Sequence, residues 1–144
     1  MFLRVQNADR RILHSDEAVQ AFQLWELMNT GHYEYDPVDK HGPLLYYTSL
    51  VLNKITGIDA LELSQKNVRL VSIVASAGLL YLIAFGSRKR DPVALMAAAL
   101  FALSPLPVIY GAYFVQEALF ALLGFLALYT FSDYWKNPTC LRAG

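Results

Sequence analysis

The side chains best suited to chemistry sit close together near the start of the chain. His14-Ser15-Asp16-Glu17-Ala18 opens a stretch that ends at Tyr33-Glu34-Tyr35-Asp36-Pro37-Val38-Asp39-Lys40-His41-Gly42-Pro43. It contains all three histidines and six of the twelve acids, and apolar runs take over after it. Carboxylates and imidazoles are the groups that move protons or hold metals, so acid–base chemistry and metal binding are the chemistries to weigh first.

Asp16 and Glu17 have two readings. Following Ser15, a candidate N-cap, they suit the positive end of a helix dipole, an effect worth roughly 0.3–1 kcal/mol. As functional groups they need a cleft, and adjacent helical residues point about 100° apart. One acid would then do chemistry while the other orients or binds. The histidines are a weaker signal. His14, His32 and His41 lack a tight ligand spacing such as i, i+4, so no metal site is assigned to them. His41-Gly42-Pro43 fixes the backbone around a polar side chain, which an ordinary turn also does. Glu117 is the only acid between Asp91 and Asp133. An acid alone at the edge of an apolar run is a functional candidate, and equally a helix-start residue in the headgroup layer.

The elements that must position these residues follow from composition. The 144 residues are 56% hydrophobic with a mean hydropathy of +0.33, too apolar for an ordinary soluble domain of this length. A formal net charge of zero gives no reason to expect a nucleic-acid partner. Charge is strongly segregated: none occurs from Leu70 to Gly86, from Pro92 to Gln116, or from Ala118 to Ser132. A bilayer needs apolar runs of roughly 17–25 residues. Three spans are therefore expected, at about 68–86, 93–110 and 118–135. The single cysteine, Cys140, excludes an internal disulfide, and Met1 to Val5 show no signal-peptide pattern.

Upstream of the spans, Ala18, Ala21, Phe22, Trp25 and Met28 recur at helical spacing over 16–30, with Gly31 as a stop. Residues 31–43 read as a structured loop, and Leu44 to Ile55 as a second amphipathic helix ended by Gly57. Leu61 to Arg69 reads as a polar lead into the first span. Both amphipathic helices are expected to rest on the membrane surface, Trp25 included. Ser104-Pro105-Leu106-Pro107 should bend the second span. The densest basic cluster, Arg88-Lys89-Arg90, follows the first span, and short basic loops stay in the cytoplasm. Residues 1–67 then lie outside, residues 136–144 form a cytoplasmic tail, and Glu117 falls on the same outer face as Asp16 and Glu17. The fold class expected is all-α: a polytopic integral membrane protein with three transmembrane helices and an extracytoplasmic loop carrying two interfacial helices.

The compound pattern resembles a known family. An Asp16-Glu17 pair opens a helix, Gly31-His32-Tyr33-Glu34-Tyr35-Asp36-Pro37 follows, then His41-Gly42-Pro43-Leu44-Leu45-Tyr46, and Glu117 comes after the next outward span. This is similar to the GT-C membrane glycosyltransferases of the dolichyl-phosphate-mannose–protein mannosyltransferase superfamily, closest to the flippase-activity-associated proteins. The resemblance covers about residues 12–132. It implies sugar transfer, with inversion, from a polyprenyl-phosphate-linked donor to an acceptor hydroxyl on a protein, lipid or glycan. The setting it implies is the outer face of a bacterial or archaeal cell membrane, among membrane lipids.

Carried over by position, Asp16, Glu17 and Glu117 are the catalytic candidates, with Asp16 as general base and Glu17 beside it. Tyr35, Asp36 and His41 become substrate-binding candidates. Glu117 orients substrate, and a divalent cation, magnesium or manganese, is the one cofactor the resemblance allows. Further spans before and after this chain are also implied, so it is expected to be a piece of a longer protein. The alternative is a non-catalytic helper of lipid-linked sugar translocation or an inactive remnant; a zinc-dependent membrane hydrolase is more distant.

Overall fold

The computed structural model describes residues 12–35, 42–86 and 91–136. Among them the chain is all helical, with no strand. Six α-helices follow in order: α1 Ser15–Thr30, α2 Leu44–Thr56, α3 Gln65–Phe85, α4 Pro92–Leu103, α5 Pro105–Tyr110 and α6 Glu117–Lys136, with one 3-10 turn at Ala60–Glu62 before α3.

Two of these helices, α3 and α6, are long and apolar enough to cross a membrane. At 21 and 20 residues, each is about 30 Å long, the thickness of a hydrocarbon core. They correspond to the first and third expected spans. The second is not one bent helix. Pro105 has no N–H to continue the ladder, so α4 ends on the Ser104 N–H to Leu100 carbonyl bond, and Ser104 turns extended with φ −64° and ψ 133°. A new short helix starts at Pro105, leaving α4 at 12 residues, too short to cross alone. Arg88, Lys89 and Arg90, on which the expected orientation rests, lie outside the described residues.

The central helix is α3, which packs against α6, α4 and α2. Close approach to α6 is allowed by Gly78, where a Cβ would sit 3.7 Å from Leu122. Ala75, Ala118 and Leu119 fill the contact above it. The main core lies next to this contact, around the start of α3. Leu24 and Leu27 from α1, Leu45 and Tyr46 from α2, Val68 and Val71 from α3, and Phe114 from the α5–α6 connection close around one another. Burying a large apolar side chain contributes about 1.5–3 kcal/mol, so this cluster docks the N-terminal helical pair onto the start of α3.

The helix stops are where glycine puts them. Gly31 and Gly57 each adopt φ +72°, a left-handed conformation that lets their N–H groups reach back to Leu27 and Lys54 carbonyls. One local expectation for α1 is corrected. His14, not Ser15, is the N-cap: its Nδ1 accepts from the Asp16 N–H at 3.4 Å, and the Glu17 carboxylate accepts from the His14 N–H at 3.1 Å. The buried face is Glu17, Gln20, Leu24 and Leu27, whereas Phe22 and Trp25 stack on each other at 5.9 Å on the exposed side. Phe22 and Trp25 belong to the apolar set expected to rest on a membrane surface, and two of the four inward residues, Glu17 and Gln20, are polar, each satisfied by a distant partner. The polar lead at Leu61–Arg69 also ends early, since α3 begins at Gln65 and already contains Arg69.

Candidate functional site

At the N-terminus of α1 the two adjacent acids go opposite ways. The Asp16 side chain is 74% exposed, with the His14 Nδ1 at 3.5 Å and the Ser15 hydroxyl at 3.5 Å. Glu17 is fully buried and densely hydrogen-bonded. Its Oε1 accepts from Arg69 Nε at 2.9 Å and from the Phe114 N–H at 2.9 Å. Its Oε2 accepts from Arg69 Nη2 at 2.9 Å and from the His14 N–H at 3.1 Å. Burial by itself pushes a carboxyl up, but the Arg69 hydrogen bonds, the Phe114 and His14 N–H groups and the guanidinium charge outweigh it, so the group sits below its ordinary 4.5. Glu17 is therefore a charged brace inside the protein.

Sequence pattern assigns Arg69 only to a polar lead and does not reveal its role. It is fully buried in the second turn of α3. A signal was available: Arg69 is the last charge before the uncharged run from Leu70 to Gly86. Like Glu117 at the edge of its own run, a cation there needs a partner.

Phe114 lies in the connection between α5 and α6, and its ring enters the main core. Three residues later Glu117 begins α6. Its position completes an open cleft of about 420 Å³ lined by Asp16, Gln20, Val115, Gln116, Glu117 and Phe120. Gln20 is held there because its Oε1 accepts from the Tyr46 hydroxyl at 2.5 Å. Tyr46 in turn stacks on Tyr33 at 5.2 Å. The Gln116 side-chain nitrogen is buried without a hydrogen-bond partner among the described residues. Asp16 and Glu117, 101 positions apart in the chain, thus share one cavity.

Glu117 also borders a second space. An apolar groove of about 220 Å³ runs between α3, the α4–α5 corner and α6, lined by Leu79, Phe101, Leu106, Tyr110, Ala118 and Ala121 among others. One carboxylate therefore stands between a polar cleft and an apolar groove.

The chain matches no protein-family model, no curated protein and no solved structure. What the site can do rests on its own residues. Two carboxylates in an open cleft can accept protons or hydrogen bonds from hydroxyl groups. They can also hold a hard divalent cation, which binds one or two carboxylates and completes its shell with water or phosphate. Among the described residues no three His, Cys, Asp or Glu side chains are grouped, so there is no ligand set of the three-residue zinc type there.

Of the other sequence candidates, Tyr35 is exposed and does not line the cleft. Asp36 and His41 lie outside the described residues. Gln20 and Gln116 line the cleft but were not singled out from the sequence, because an isolated glutamine carries no spacing signal.

Proposed function

We propose that this chain is part of a GT-C-type membrane glycosyltransferase that moves a sugar, with inversion, from a polyprenyl-phosphate-linked donor to an acceptor hydroxyl at the outer membrane face. One observation carries the reading: Glu117 is shared by the polar cleft that holds Asp16 and by an apolar groove between helices. An amphiphile with a long apolar chain and a polar head matches that pair of spaces. In this reading α4 and α5 together complete a third crossing over residues 92–110, and Arg88-Lys89-Arg90 lies on the cytoplasmic side.

The chemistry assigns roles by exposure. The exposed Asp16 carboxylate takes the proton from the acceptor hydroxyl as its oxygen bonds to the anomeric carbon. The bond from that carbon to the phosphate oxygen breaks on the opposite face, and the polyprenyl phosphate leaves with the electron pair. Glu117 orients the hydroxyl-bearing groups. A magnesium or manganese ion, when bound by Glu117 with Asp16 beside it, would offset charge on the departing phosphate. Glu17 is saturated by its own four bonds and takes no proton.

The test is transfer by the complete protein in membranes supplied with a polyprenyl-phosphate hexose. Asp16→Asn should lower the rate by about 10²- to 10⁴-fold, the usual contribution of a general base, with helix content unchanged. Undiminished transfer, or no transfer by the unmodified protein, overturns the enzymatic reading and leaves the non-catalytic helper, which has no need of a base at Asp16.

A further inference from the structure

The Glu17 carboxylate does more than neutralise Arg69. Each of its oxygens takes one bond from the guanidinium and one from a backbone N–H. The two N–H groups belong to His14, two residues before Asp16, and Phe114, three residues before Glu117. One buried carboxylate thus joins the two backbone segments from which the cleft's acids project. Arg69 holds the carboxylate plane with two parallel bonds, a geometry specific to arginine. The guanidinium has no acceptor of its own, so it cannot replace Glu17 at either N–H.

We propose that Glu17 is a positioning residue: through the Phe114 N–H it holds the start of α6, and so places Glu117 opposite Asp16. The connection that carries Phe114 is six residues of turns between α5 and α6 with no regular ladder of its own, so an anchor at its centre fixes where α6 begins. The role concerns the cleft used in the proposed transfer reaction, while the linkage itself can be tested without turnover.

The experiment separates the acceptor from the charge. Arg69→Met is paired with either Glu17→Gln or Glu17→Met in the full chain with Cys140→Ser, in lipid nanodiscs. Both doubles remove the ion pair and leave no stray charge, and Gln and Met have similar size. Only Gln keeps an oxygen for the Phe114 N–H. Spin labels at the exposed Val19 and Leu123 report α1 against α6, and labels at the exposed Tyr81 and Leu128 report α3 against α6 away from the cleft.

The Val19–Leu123 distance distribution should be narrow in the parent and in E17Q/R69M, and lose its narrow peak in E17M/R69M, while the Tyr81–Leu128 distribution stays narrow in all three. Transfer turnover should fall about 10²-fold in E17M/R69M at unchanged KM and recover in E17Q/R69M, as expected for a misplaced rather than a missing group. An unchanged Val19–Leu123 distribution in E17M/R69M overturns the proposal. So does equal broadening in the two doubles, or broadening of the Tyr81–Leu128 pair with it, which makes the carboxylate a general stabiliser of the fold. If no transfer activity exists, the enzymatic reading fails while the distance result still decides the linkage.

Discussion

Glu17 and Arg69, 52 residues apart, form a two-pronged ion pair with both bonds at 2.9 Å and neither side chain exposed. The pair ties the first turn of α1 to the early turns of α3. A buried pair of this kind adds little net stability over a well-packed apolar substitute, because both charges must be desolvated. Breaking it from one side is another matter.

Arg69→Met alone should therefore destabilise the protein by about 3–5 kcal/mol, since it leaves the Glu17 carboxylate buried without its cation. The double variant E17Q/R69M should recover most of that loss. Reversible unfolding in mixed micelles, followed by circular dichroism, measures both.

The same pair sets an acid limit. The folded-state value of Glu17 is lowered from 4.5, so its contribution is fully present at neutral pH and persists down to about that ordinary value. It is lost progressively as the pH falls from there through the lower folded value, because the unfolded chain binds the proton more readily. A pH series of unfolding midpoints should fall through this window in the parent. The part due to Glu17 should be missing in E17Q/R69M.

Asp16→Asn and Glu17→Gln change adjacent residues in the same way chemically and should behave oppositely. Asp16 is 74% exposed on its side chain, so its variant should stay within about 0.5 kcal/mol of the parent and lose transfer. Glu17→Gln leaves Arg69 buried without a countercharge and should lose stability first. Thermal unfolding and transfer assays on the two single variants distinguish the roles.

Gly111→Ala probes the wall of the apolar groove. Its Cβ would collide with the Ser76 side chain and the Pro107 carbonyl oxygen, neither of which is the end of a long flexible chain. Overpacking at such a site costs about 1–3 kcal/mol, and relief by moving α5 would reshape the groove. Reduced binding of a polyprenyl phosphate, measured by partition into the protein–detergent complex, should accompany the lost stability.

Much of the architecture was legible because it is encoded locally. The uncharged runs marked α3 and α6, glycine marked the ends of α1 and α2, and the paired prolines marked a disruption after α4. The disruption proved to be a full break, since Pro105 interrupts the ladder and Ser104 leaves the helical region. Topology leads one to expect Asp16 and Glu117 on one membrane face and no closer than that, and tertiary structure brings the two into the lining of one cleft. The inward face of α1 was not legible, because it is built around Glu17 and Gln20, whose polar atoms are satisfied by Arg69, Phe114 and Tyr46.

The sequence by itself determined that Asp16 and Glu17 point about 100° apart, as adjacent residues of any helix must. It also determined that an arginine would meet the edge of an apolar run, where a charge needs a partner. Which acid would meet that arginine was decided only by tertiary structure. The deciding contacts join residue 17 to residue 69 and to residue 114, separations of 52 and 97 that no local pattern records. Burial makes the choice physical: an arginine in the protein interior requires a carboxylate, and α1 docks with Glu17 inward, leaving Asp16 facing the cleft.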